Sequence, residues 1–376
     1  MKYKLDEERF LKDLEHLVNI DSHSYDLEGV GRMAAFFEKA FTEAGWTVKR
    51  VDIGPEAGEC LEITNGAAPY DALILGHMDT VFPRGVVAER PFTRDGERAY
   101  GPGVIDMKSG LLFSLYAARE ISARGIAGSY CVALNSEEEV GSRNARQWIE
   151  RLARESRATI VLEPARASGN LVNERKGIGH IEAVFKGRAA HAGVEPEKGI
   201  NSVSEMARWV MELHSLASPE LGTTVNVGIV SGGTGVNVVP ERAELTADVR
   251  VKVEEEADRL AARLVELKAS PFTPGVKVEA ELILTRPPMN PDERTLKLCA
   301  LVDDAGKEAG VEFAWQSTGG GSDGNFTAAL GIPTVDGMGP MGGNSHSVDE
   351  YLNLATLSAR FDMLVKLLER LPGAKL

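Results

Sequence analysis

Cysteine is scarce in this chain: Cys60, Cys131 and Cys299 are the three in 376 residues, odd in number and far apart in sequence. Such spacing fits neither a disulfide framework nor a CxxC metal site and leaves them as buried small hydrophobes. Long apolar runs are also missing, and none reaches the roughly 18 residues that a membrane span requires. The opening MKYKLDEERFLKDLEHLV mixes acidic, basic and apolar residues at helical spacing. It has neither the apolar stretch nor the cleavage site of a secretory signal, so a first helix of a cytoplasmic protein is expected. Positive charge is in deficit, with 42 Lys and Arg against 56 Asp and Glu and a formal charge of −14. That field repels phosphates and disfavours nucleic acid and anionic membrane surfaces as partners, and an anionic small substrate would need local arginines to hold it. No internal repeat or low-complexity linker interrupts the chain. The clusters GGTG and GGGSDG lack the GK[ST] of a nucleotide-binding loop.

What is present is ordinary for a folded globular protein: 43% hydrophobic and 26% charged residues. The length exceeds what one core usually serves, so two domains are expected. The apolar runs DALILG (71–76), SYCVAL (129–134) and ATIVL (158–162) read as buried strands, each running into polar residues: HMDT, NSEEE and Glu163-Pro164. Helical patterns at about 109–123 and 143–154 alternate with them, which predicts a mostly parallel α/β sheet with ligands beyond the carboxyl ends of its strands. From residue 177 the order becomes strand, helix, two strands, helix, strand, the split βαβ or ferredoxin-like unit. Helix and strand alternation then resumes, with VEFAW and IPTVDG as strands and a long C-terminal helix. The expected division is a discontinuous domain, 1–176 with 287–376, interrupted by an inserted α+β domain at 177–286.

Taken singly, the polar clusters are unremarkable. His77 and Asp79 suit a turn, Asp106 a helix start, Glu137 to Glu139 a solvated helix N-terminus, and Glu163 a strand end. Together they bring histidine and carboxylates to one sheet edge from three strand ends, the N and O donor set of a hydrolytic metal site with room for water. Asp79, two residues after His77, is spaced to orient a ring nitrogen. A metal pair needs a bridging carboxylate and a separate carboxylate to accept the proton of the attacking water. Adjacent Glu138 and Glu139 suit that division, because successive side chains at a strand end point in different directions. His16, His23, His180 and His214 match no ligand position.

The segments HMDTVFP, YGPGVIDMKSG, NSEEEVGS, LEPA, GRAAHAGVEPEKGINS, GVNVVPERAELTADVR and NSHSVDEY, in this order, resemble the co-catalytic di-zinc metallopeptidase family over nearly the whole chain. That family contains glutamate carboxypeptidase, acetylornithine deacetylase, succinyl-diaminopimelate desuccinylase and the aminoacylases, and the chain most resembles glutamate carboxypeptidase. The resemblance implies a zinc-peptidase catalytic domain with an inserted dimerisation domain, and two zinc ions per chain, with cobalt or manganese as alternatives. His77 and Glu163 would bind one ion and Glu139 and His346 the other, with Asp106 bridging. Asp79 would orient His77, and Glu138 would be general base and then acid. In the inserted domain His191 would stabilise the oxyanion, and Asn237 and Arg250 would bind substrate, with Arg286 and the Gly321 backbone assisting. The implied assembly is a homodimer through the inserted domain.

Arginine's planar fork suits a free carboxylate on the substrate, a small peptide or an N-acyl amino acid. Within the family a Glu at the Glu163 position goes with carboxypeptidases and deacylases. The resemblance therefore implies a glutamate carboxypeptidase-like enzyme releasing a C-terminal amino acid. An N-acyl amino acid deacylase and a dipeptidase stay open beside it, as does a non-catalytic binding module that keeps the fold.

Overall fold

The computed structural model describes residues 2–376, and the chain forms two compact units. The first comprises residues up to Glu174, Pro291–Thr318 and Ser322–Leu376. The second comprises Arg175–Asn290 together with the short Gly319–Gly321 segment.

In the first unit the apolar runs form the middle of a six-stranded sheet. Its order is Thr47–Val51, Cys60–Thr64, Tyr130–Asn135, Ala72–His77, Thr159–Val161 and Thr334–Val335. The first three are joined antiparallel and the remaining pairings are parallel. Every residue of Ala72–His77 and Tyr130–Asn135 is buried, because helices cover both faces, which is why these strands read as continuous apolar runs instead of alternating ones. On one face the Ser109–Arg124 helix is buried from Ser109 to Ala118 and packs against helices Glu7–Val18, Leu27–Glu43 and Leu357–Arg370. On the other, Trp148, Ile149 and Leu152 of the Arg146–Arg154 helix pack with Leu73, Leu75, Cys131 and Ala133. All three cysteines are free and buried.

The second unit is a four-stranded antiparallel sheet in the order Thr224–Gly232, Arg242–Val251, Gly177–Lys186, Lys277–Arg286. Burial alternates along Gly177–Lys186 and Arg242–Val251, so one face is apolar. That face carries Ile181, Phe185, Leu245 and Val249, which pack with Trp209 and Leu213 of the Ser202–Ser215 helix and Leu260 and Leu264 of the Glu254–Ala269 helix. This is the ferredoxin-like arrangement.

Two details differ from the sequence reading. Residues 311–314 of VEFAW are not strand: Gly310 takes a left-handed φ of 71° at the helix end, and the Val311 N–H caps the carbonyl of Gly306. The strand begins at Trp315 and pairs beside Leu171–Arg175. A small second sheet, Gly342–Gly343, Tyr351–Asn353, Arg98–Tyr100 and Thr93–Arg94, was not anticipated, since strands of two or three residues carry no periodicity.

Candidate metal centre

His77 ends the central Ala72–His77 strand, so its ring is held with only 2% of its surface exposed. Nδ1 lies 3.0 Å from the main-chain oxygen of Asp79 and 3.3 Å from Asp79 Oδ1. Nε2 is then turned outward, 3.3 Å from Asp106 Oδ1 and 3.5 Å from Glu163 Oε1. Asp79 is fully buried and accepts hydrogen bonds from Ser24 Oγ (2.6 Å) and the N–H groups of Glu138 and Glu139 (3.1 Å each). One carboxylate thereby fixes the imidazole and the turn that carries both glutamates.

Glu163 follows the Thr159–Val161 strand, and Asp106 lies in the Val104–Lys108 turn before the Ser109–Arg124 helix, its peptide to Met107 cis. Glu138 and Glu139 correct the expectation of strand-end alternation: the strand stops at Asn135, and Glu138–Val140 is one 3-10 turn. His346 sits in a loop at a φ of 64°, half-exposed, with Nε2 3.2 Å from Asp106 Oδ2 and 3.2 Å from Glu139 Oε2.

The donors thus fall into two groups, His77, Asp106 and Glu163, and Asp106, Glu139 and His346, and Glu138 belongs to neither. Asp106 serves both, Oδ1 to one group and Oδ2 to the other. With bonds of about 2.0–2.1 Å, the donors of a tetrahedral ion stand about 3.3–3.4 Å apart, and the spacings of 3.2–3.5 Å match this. Glu139 Oε1 is buried without a hydrogen-bond partner, an atom in want of a cation.

The electrostatics agree. Without an ion, burial and then the Asp106 charge push Glu163 up to about 7, and burial raises Glu139. Burial opposes ionisation of Asp106 too, yet hydrogen bonds to His346 and His77 hold it below the usual carboxylate range. Hydrogen bonds to Asp106 and Glu139 push His346 up to about 11. Burial disfavours a charged His77, but Asp106, Asp79 and Glu163 outweigh it and hold the ring well above the histidine range. Four carboxylates around two imidazoles compete for protons that divalent cations would displace. The residues present fit a pair of such ions.

The remaining expected residues lie in the second unit. His191 is exposed in the loop beyond the Gly177–Lys186 strand, five residues past its end. It bridges to Val238, and the Ala192 N–H donates to the carbonyl of Asn237 (2.9 Å), so the loops of His191 and Asn237 are paired. Arg250 makes a two-pronged ion pair with Asp248, Nε to Oδ2 at 3.0 Å and Nη2 to Oδ1 at 2.9 Å. Arg286 is buried, and a Cβ at Gly321 would come within 2.8 Å of its Cδ and 2.6 Å of Ile178 Cδ1. A side chain there would have to displace both.

Sequence reasoning missed Glu350. It is 1% exposed; Oε1 accepts from the N–H groups of Ile105 (2.9 Å) and Asp106 (3.0 Å), and Oε2 from Gly103 (3.0 Å). It therefore ties the turn of Asp106 to a residue four positions after His346. Burial and then the neighbouring Asp106 charge push Glu350 up to about 7. Arg175 was also missed: it is buried and donates to the carbonyls of Gly320 (2.9 Å) and Gly321 (3.3 Å). Glu350 stands within the NSHSVDEY segment, yet neither residue announces a role, because both act on backbone atoms.

Comparison with known proteins gives the family. The model of peptidase family M20/M25/M40 matches residues 73–370. Carboxypeptidase G2 of Pseudomonas sp. (strain RS-16) is 30% identical, with 97% of this chain and 90% of that protein covered. Succinyl-diaminopimelate desuccinylase of Stenotrophomonas maltophilia (strain R551-3) is 28% identical over 82% of this chain and 86% of that protein. Among solved structures, aminopeptidase PepT from Bacillus cereus ATCC 10987 shares the fold, with a TM-score of 0.81, 24% identity, and 98% of this chain and 99% of that one covered. The chain belongs to peptidase family M20/M25/M40 and is a metal-dependent amide hydrolase.

Proposed function

We propose that the protein holds two divalent cations, zinc by preference, and hydrolyses an amide bond next to a free carboxylate, releasing a C-terminal amino acid. The observation that carries this reading is the sharing of Asp106 between two donor groups, one oxygen to each. Two imidazoles and three carboxylates make an N and O set suited to zinc, with cobalt and manganese as alternatives. Lewis acidity at the scissile carbonyl and acidification of the attacking water are what such a pair supplies when bound.

The chain's own residues do the rest. Asp79 keeps His77 in the orientation that presents Nε2. Glu138, outside both donor groups yet one residue from Glu139, takes the proton of the attacking water and delivers it to the leaving amine. His191 donates to the tetrahedral oxyanion. Asn237 and the Gly321 backbone hydrogen-bond the substrate, while Arg250 and Arg286 hold its carboxylate. In the structure Asp248 occupies the Nε and Nη2 edge of Arg250 and the Gly319 carbonyl lies 3.5 Å from Nη1, so a substrate carboxylate shares Nη1 with that carbonyl or displaces Asp248.

The second reading, an N-acyl amino acid deacylase, draws on the desuccinylase relative and needs the same arginines. We also assign a homodimer to the second unit. Its Thr224–Gly232 strand is an outer strand nine residues long, with Ile229 and Val230 more than half exposed, the kind of edge a second copy covers. Among the described residues no helix is long and apolar enough to cross a membrane.

The test is a panel of peptides ending in glutamate, their C-terminal amides and N-acyl amino acids, assayed on zinc-loaded and chelator-treated enzyme. Metal-dependent release of the C-terminal residue, strongest on free carboxylates, is expected. Equal turnover of acid and amide, or turnover that survives metal removal, would overturn the reading.

A further inference from the structure

The loop that carries Glu138 is tied at both ends, and one carboxylate from a distant part of the chain holds both ties. At the near end, where the Tyr130–Asn135 strand stops, Asn135 Oδ1 accepts the N–H groups of Ser136 (2.7 Å) and Glu137 (3.2 Å). At the far end the Ser142 N–H donates to the carbonyl of Glu137 (2.9 Å), with Ser142 at a φ of 51°, a region that side-chain-bearing residues seldom adopt. Asn135 Nδ2 donates to Ser142 Oγ (2.9 Å), closing the loop on itself, and to Asp323 Oδ2 (2.7 Å). Ser142 Oγ donates to Asp323 Oδ1 (2.5 Å). All three side chains are buried, Asn135 at 1%, Ser142 at 0% and Asp323 at 4% exposure.

We propose that Asp323 is a positioning residue for the general base: it locks Asn135 to Ser142 and so fixes where the turn places Glu138. The proposal rests on the reading of Glu138 as base. Between the two tied ends the chain passes through the Glu138–Val140 turn, whose N–H groups at 138 and 139 are already anchored on Asp79. With the middle held from one side and both ends from the other, the backbone at Glu138 has little freedom to shift. Displacing a catalytic group by about 1 Å costs on the order of 10²-fold in rate. Asp323 acts through the loop and belongs to neither metal donor group.

The donor and acceptor roles across the Asn135 and Asp323 pair can be exchanged. Asn135→Asp alone sets two buried carboxylates 2.7 Å apart where an amide now donates. The turn should open, with kcat falling about 10²-fold while KM and two metal equivalents per chain are kept. In the double variant Asn135→Asp/Asp323→Asn, the amide of residue 323 donates to the carboxylate of residue 135. That carboxylate still accepts the N–H groups of Ser136 and Glu137, but the Asn135 Nδ2 bond to Ser142 Oγ is lost and the single Ser142 hydroxyl proton serves residue 135 or residue 323, so kcat should recover about tenfold from the Asn135→Asp value. Ser142→Ala, which removes one small group and should fold whatever the other variants do, should lower kcat about tenfold at unchanged KM and metal content. In a Glu138→Ala background Asn135→Asp should cost little more, because the base it misplaces is already gone. If Glu138→Ala keeps its turnover, the reading of the base fails. If Glu138→Ala is inactive but Ser142→Ala has wild-type kcat, or the exchanged pair is as poor as Asn135→Asp alone, Asp323 positions nothing.

Discussion

Replacing Glu350 by glutamine changes one buried oxygen for an amide and should loosen the turn that presents Asp106. Glu350 now accepts three backbone hydrogen bonds of 2.9–3.0 Å at 1% exposure. Glutamine can keep its oxygen towards Ile105 and Asp106, which then bond to a neutral acceptor and lose about 1 kcal/mol each. Its NH₂ must face the Gly103 N–H, and that buried donor, left without an acceptor, costs ~1–3 kcal/mol. The nest as a whole loses about 3–5 kcal/mol. At 1.4 kcal/mol per tenfold, half of that loss falling on the metal centre would weaken metal binding by about 10–100-fold. Chelator competition on Glu350→Gln measures the affinity, and urea unfolding of the metal-free protein measures the remainder. An affinity within threefold of wild type together with an unchanged unfolding midpoint would refute the assignment of Glu350 to this turn.

Other expectations follow from the same geometry. Glu139→Ala should lose most of one metal equivalent per chain, read by metal analysis of the purified protein, since it removes a donor from the group of His346 and Asp106; two tightly held equivalents would shift the ligand assignment to its neighbour. Both histidines are held above their ordinary pKa in the ion-free protein, so each must shed a proton to ligate. Metal affinity should therefore rise with pH, and binding at about pH 7 should release protons, measurable in a weakly buffered titration; uptake without proton release would contradict the electrostatics. Arg250→Ala should weaken productive use of free-carboxylate substrates and matter less for their amides, whereas equal losses on both would remove Arg250 from carboxylate recognition. If His191 reaches the partner's centre in a dimer, mixing inactive Glu138→Ala and His191→Ala chains should restore about a quarter of wild-type sites. Mixed dimers that stay inactive would place His191 in its own chain's site.

The parallel middle of the first unit was legible because its strands are covered on two faces and appear as unbroken apolar runs ending in polar residues. The second unit was legible from the order of its periods, two along strands and 3.6 along helices. His77, the Glu137 to Glu139 run and Glu163 were legible because they stand where apolar runs end, whereas Asp106 stands in a Gly-rich turn before a helix. His346 and the inserted-unit residues have no such marker and came from the family resemblance alone. What stayed hidden acts on backbone atoms or across long separations. Glu350 reaches back 244 to 247 positions to three N–H groups, and Asp323 reaches 181 and 188 positions to Ser142 and Asn135. No local pattern distinguishes such a carboxylate from a solvated one. That Glu138 and Glu139 stand in a 3-10 turn and not at a strand end was hidden likewise, because the turn is held by Asp79 and by the ties at Asn135 and Ser142.

The division of labour within the Glu run is the centre of the account, and turnover of fully metal-loaded Glu138→Gln tests it most directly. Glutamine keeps the shape and cannot take a proton, so the variant should bind two metal equivalents, as wild type does, and lose about 10²–10⁴-fold in kcat. A variant that carries both metals and turns over within a few-fold of wild type would show that the proton goes elsewhere and contradict the mechanism.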